Sequence, residues 1–149
     1  MGLTEQQERV LSDLVARGDE EWYLFGSADS VLRGLDDDPN DIDVLASSES
    51  ACRFQDEFGE AFVERRSVGA SWIDEYELHG EEVEVISEKR NADDWLVDFE
   101  EAAENATTER EVPLLGLDAA IAAYRRIDKH ETADRLSAAF ETEGERTRG

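Results

Sequence analysis

Apolar positions along the chain follow helical and strand periods in turn. Val10, Leu11, Leu14 and Val15 recur at helical spacing over residues 4–17, with Thr4 and Gln7 placed as a capping box and Gly18 as a stop, which predicts a first helix. Trp22-Tyr23-Leu24-Phe25 is an apolar run closed by Gly26-Ser27 and predicts a short buried strand. A short helix is expected over 28–35 and a polar loop over Asp36-Asp37-Asp38-Pro39-Asn40. A strand is expected over 41–46, where acidic and apolar residues alternate before the run turns apolar. A helix over 50–58 would turn Cys52 and Phe54 inward. Three strands should follow at 61–68, 71–78 and 82–87, the last two joined by a hairpin at His79-Gly80. The pattern then predicts a helix over 92–106 with Trp95, Leu96 and Phe99 on one face. Val112-Pro113-Leu114-Leu115 reads as an extended edge or connector, because proline removes a ladder donor. Two closing helices are expected at 117–126 and 132–140.

No repeat and no Pro/Gly/Ser-rich linker interrupts this series, so residues 1–149 are read as one domain. Helices combined with a largely hairpin-connected sheet predict an α+β fold in two layers, a mixed or antiparallel sheet flanked by helices and closed by C-terminal ones.

Composition changes the picture in one respect. Hydrophobic residues make up 40% of the 149, which is ordinary for a globular fold, but 39 acidic residues against 15 basic ones give a net charge of −24. The acids are spread along the chain among apolar residues. That spacing suits a halophilic protein, since at molar salt the Debye length falls to about 3 Å and surface repulsion is screened. It disfavours non-specific binding to a nucleic-acid backbone, which depends on basic patches. No apolar run is long enough to span a bilayer. Residues 1–7 have neither the basic nor the apolar region of a signal peptide, and Gln6 and Gln7 give poor support for myristoylation at Gly2. The single cysteine, Cys52, excludes an internal disulfide framework and a cysteine-based zinc site. A cytoplasmic location is expected.

The candidate chemistry lies in the carboxylates. Asp41 and Asp43 stand at i and i+2 of a strand, so they share a face while Ile42 points into the core. About one residue in four is acidic, so such a pair recurs by chance and gains meaning only from its setting. That setting is Gly26-Ser27, a short helix, and an apolar strand. Two neighbouring carboxylates ionise together only with a cation between them, and Mg²⁺ or Mn²⁺ takes oxygen ligands. Val83-Glu84-Val85 offers a third acid on another strand, with Glu82 as the alternative on the same face. Glycine at 26 lets a phosphate approach the backbone, and Ser27 adds a hydroxyl. Arg33 could meet a triphosphate or form a surface ion pair. Lys89, Arg90, Arg125, Arg126 and Lys129 could line a nucleotide pocket or balance nearby carboxylates. Asp36, Asp37 and Asp38 read as a solvated loop, Trp22, Trp72 and Trp95 as core, and Tyr124 as packing or a base-stacking ring.

In order, Phe25-Gly26-Ser27, Asp41-Ile42-Asp43 and Val83-Glu84-Val85 resemble the signature of the DNA polymerase β-like nucleotidyltransferase superfamily. Leu32-Arg33-Gly34 and the loop after it are similar to the small-helix region of CCA-adding enzymes. The run from Val112 to Asp118 resembles the approach to the last helices of antibiotic-type nucleotidyltransferases. Those relatives carry a lysine in the first closing helix and Arg-x-Lys-Asp before the second, where this chain has Tyr124 and Asp128-Lys129-His130-Glu131. The resemblance implies metal held by Asp41, Asp43 and Glu84, with Glu84 also as general base. It implies NTP phosphates against Gly26, Ser27 and Arg33, and transfer of a nucleoside monophosphate to an unidentified acceptor hydroxyl. The alternative is a catalytically silent relative acting as a binding module, such as a toxin–antitoxin partner.

Overall fold

The computed structural model describes residues 3–17, 21–35, 39, 41–89, 99–109 and 111–148. Gly18, the Asp36-Asp37-Asp38 loop, Arg90, Trp95 and Leu96 lie outside them. Among the described residues seven strands form one mixed sheet in the order β3-β4-β5-β2-β1-β7-β6. These are β1 (Trp22–Phe25), β2 (Ile42–Ala46), β3 (Phe62–Val68), β4 (Ser71–Leu78), β5 (Glu81–Glu88), β6 (Thr107–Glu109) and β7 (Val112–Leu114). The helices are α1 (Glu5–Arg17), α2 (Gly26–Leu32), α3 (Ser48–Glu57), α4 (Phe99–Asn105), α5 (Leu117–Arg126) and α6 (His130–Arg148). β1 pairs antiparallel with β2, β2 parallel with β5, and β3-β4-β5 form an antiparallel meander. The expected α+β class, mixed sheet and closing helices are all present, and the helices divide between both faces of the sheet.

Strand alternation sorts the side chains into two cores. Trp22, Leu24, Ile42, Val44, Val83 and Val85 pack on one face under Val10, Leu11 and Leu14 of α1 and Phe54 of α3. Tyr23, Phe25 and Leu45 pack on the other with Ala102 of α4, Ala120, Ala123 and Tyr124 of α5, and Ala133 and Leu136 of α6. The capping box forms as read: the Gln7 amide N–H donates to Thr4 Oγ1 at 3.1 Å and the Thr4 N–H to Gln7 Oε1 at 2.9 Å. His79 and Gly80 both take positive φ, 52° and 79°, which a two-residue hairpin turn requires.

Three expectations are corrected. Cys52 is exposed, because Ala51 and Phe54 take the buried face of α3 and leave it pointing away. Val112–Leu114 is one strand in from the edge: Thr107–Glu109, which has no strong pattern of its own, pairs outside it and takes the edge position. The helix expected over 92–106 is described from Phe99 and ends at Asn105, since Thr107 and Thr108, β-branched, belong to that edge strand.

Candidate active site

The sheet register assembles the site. In the β2–β5 pairing Asp43 lies opposite Glu84, as Ile42 lies opposite Val83. With the isoleucine and valine committed to the first core, both acids emerge on the face that carries α5 and α6. One carboxylate oxygen from each of Asp41, Asp43 and Glu84 lies within 4.8 Å of the others. The acids separated by about forty residues in sequence therefore share one site, and Glu84, not Glu82, is the acid that joins the aspartate pair. Glu82 is exposed and groups instead with Glu75 and Glu84.

Electrostatics in this site are unfavourable without a cation. Burial, then the charges of Asp41 and Glu84, push the Asp43 carboxyl up to about 7, while Lys129 opposes the rise. Asp41 is also raised, by burial and then by Glu84, again opposed by Lys129. Among the described residues Asp43 Oδ1 is a buried oxygen with no hydrogen-bond partner. Lys129 stands in the turn between α5 and α6, where its backbone N–H donates to the Tyr124 carbonyl at 2.9 Å. Among the described residues Lys129 is a base whose charge reaches both aspartates. Lys89 stacks on Trp72 with its ammonium 4.9 Å from the ring, and Arg125 pairs with Asp134 at 3.0 Å.

Gly26 closes the other wall. It has φ of 74°, and a Cβ built there would lie 2.6 Å from Asp43 Oδ2. The glycine thus makes room for the aspartate carboxylate itself. The carboxylate, and not a phosphate, fills that space. Ser27 follows it, half-buried at the start of α2.

Arg33, expected at the triphosphate, is used elsewhere. Its Nε donates to Asp29 Oδ1 at 2.8 Å and its NH2 to the Leu115 carbonyl at 2.7 Å, and its side chain is only 6% exposed. Asp29 also accepts from the Tyr124 hydroxyl at 2.8 Å, and that hydroxyl lies 3.1 Å from the Gly26 carbonyl. Tyr124 is fully buried and stacks on Phe25 with centroids 4.3 Å apart, so it packs the core behind Gly26. This buried Tyr124–Asp29–Arg33 network was missed from sequence. Its one legible signal was the i,i+4 spacing of Asp29 and Arg33. Arg66 was missed too: its NH2 donates to Glu84 Oε1 at 2.7 Å.

Fold and site together define an α+β domain with a carboxylate cluster on one face of a mixed sheet. The crystal structure of a candidate nucleotidyltransferase from Thermotoga maritima is similar, with a TM-score of 0.64 and 22% identity over 95% of this chain and 97% of that one. The fold is accordingly nucleotidyltransferase-like. No protein-family model matches the chain, and no curated protein matches it. Among the described residues no helix is long and apolar enough to cross a membrane.

Proposed function

We propose that this chain is a metal-dependent nucleotidyltransferase. It moves a nucleoside monophosphate from an NTP to an acceptor hydroxyl, with pyrophosphate leaving. The observation that carries the reading is the convergence of Asp41, Asp43 and Glu84 within 4.8 Å beside Gly26. The donor set fits a hard divalent cation such as Mg²⁺ or Mn²⁺: three carboxylates, one with a buried, unpartnered oxygen. Asp41, Asp43 and Glu84 would hold the cation, which when bound supplies charge neutralisation for the triphosphate. Glu84 would accept the proton of the attacking hydroxyl. Ser27 would meet the β- and γ-phosphates, Gly26 leaves room for the Asp43 carboxylate beside them, and Lys129 adds positive charge from the helical side of the site. Arg33 has no part in this reading, because its guanidinium is committed to Asp29 and Leu115.

Titration of ATP, CTP, GTP and UTP with Mg²⁺ in molar KCl, followed through the amide signals of Ser27 and Asp43, tests the reading. Saturable shifts in the wild type that disappear in Asp43→Asn are expected. Absence of any shift at millimolar nucleotide would overturn it and leave a binding module on the same fold.

A further inference from the structure

The register that pairs Asp43 with Glu84 continues outward. Glu84 lies opposite Glu75 across β5 and β4, and Glu75 opposite Glu64 across β4 and β3. Four acids on four adjacent strands thus form one transverse row on the same face of the sheet. Like charges placed directly opposite one another repel, so the row needs positive charge along its length. Among the described residues two groups of three oxygens can each close around a cation: Asp41, Asp43 and Glu84, and farther out Glu75, Glu82 and Glu84. Glu84 belongs to both, so the direction its carboxylate takes decides which group it completes.

Arg66 supplies the outer charge. It projects from β3, two residues beyond Glu64, and reaches across β4. Its NH2 contacts Glu84 Oε1 at 2.7 Å, while NH1 approaches Glu75 Oε1 at 3.3 Å and Glu64 Oε1 at 3.5 Å. The two nitrogens divide the work: one is given to Glu84 alone and the other gathers the outer glutamates. A planar guanidinium fixes direction as well as charge, which an ammonium does not. The pair is partly screened, with the Arg66 side chain 38% and Glu84 19% exposed, so its value lies in orientation more than in stability.

We propose that Arg66 is a positioning residue for the metal centre. It pairs with two of the three outer carboxylates, Glu75 and Glu84, which keeps that group from taking a divalent cation, and it holds Glu84 by one oxygen so that the carboxylate stays turned to Asp41 and Asp43. The inference rests on the nucleotidyltransferase reading for the role of the inner group. Partners that orient a metal's ligands typically change affinity 10- to 100-fold when removed.

The test uses Mn²⁺ alone, with the intact chain in molar KCl, reading affinity, stoichiometry and the pattern of paramagnetic broadening. Wild type should broaden Ile42, Asp43 and Glu84 at one ion per chain. In Arg66→Gln, Mn²⁺ affinity at those amides should fall about tenfold or more. A second ion per chain should bind, at Glu75, Glu82 and Glu84. Arg66→Lys should recover part of the affinity and suppress the outer site, and Glu64→Gln, which leaves the Arg66–Glu84 contact in place, should behave as wild type. Wild-type affinity and a stoichiometry of one ion per chain in folded Arg66→Gln would overturn the role of Arg66 while leaving the functional reading intact. A wild type that shows no broadening around Asp43 would overturn both.

Discussion

Gly26 and Asp43 interlock: the space a side chain at residue 26 would need is occupied by Asp43 Oδ2, 2.6 Å from where its Cβ would stand. The contact joins the end of β1 to the first residues of β2, and it explains the glycine by the carboxylate. Gly26→Ala should therefore displace Asp43 and weaken Mn²⁺ binding at the site, and Gly26→Val should do so more severely. Positive φ at a non-glycine residue adds a backbone cost on the order of 1–2 kcal/mol. Denaturant unfolding in molar KCl and Mn²⁺ broadening at Asp43 measure the two effects. Retention of wild-type broadening in Gly26→Ala would show that the carboxylate adapts.

Asp43 gives the site a pH dependence. Its carboxyl sits at about 7 in the folded cation-free protein, above its ordinary value. Its contribution to stability is therefore complete below about pH 4 and is lost as pH rises through about 7. Asp43→Asn should match the wild type near pH 4 and exceed its stability by on the order of 4 kcal/mol at pH 8. Saturating Mn²⁺ should stabilise only the wild type at that pH. Parallel pH profiles for the two proteins would show that Asp43 ionises freely.

The buried network behind Gly26 should be costly to break. Burial raises Asp29 above the usual carboxyl range even with Arg33 and Tyr124 against it. Arg33→Gln leaves that carboxyl without its cation and should destabilise the fold by about 3–5 kcal/mol. The double variant Asp29→Asn/Arg33→Gln should recover much of the loss. Nucleotide affinity per folded molecule should stay unchanged in both, and a selective loss of NTP affinity in Arg33→Gln would return Arg33 to the substrate site.

Tyr124→Phe separates the network from the ring packing. The phenyl ring keeps its stack on Phe25, while the contacts to Asp29 and the Gly26 carbonyl disappear. A loss of about 1–3 kcal/mol is expected from the unsatisfied buried acceptors. Thermal unfolding with calorimetry reads it, and a neutral result would place the Tyr124 contribution in the ring alone.

The net charge of −24 makes one prediction for the whole chain. Self-repulsion is large in dilute buffer and mostly screened above about 1 M salt. The melting temperature should climb steeply with KCl. A flat profile from dilute buffer to molar salt would remove the halophilic explanation of the composition.

By itself the sequence determined most of the strands and most of the helices, because burial imposes its period locally: Trp22–Phe25 and Ser71–Leu78 appear where their patterns place them. It also determined that Asp41 and Asp43 share a face, since alternation along one strand needs no partner. The edge strand Thr107–Glu109 was not legible, as three residues acquire strand character only by pairing with Val112–Leu114. Nor could the pattern assign the arginines. Arg33 and Arg66 have the same chemistry, yet one is buried against Asp29 and the other lies across β4 on Glu84. The choice between Glu82 and Glu84 also fell to the tertiary structure. Both lie on one face of β5, and only the parallel register with β2, which sets Val83 against Ile42 in the core, brings Glu84 and not Glu82 beside Asp43.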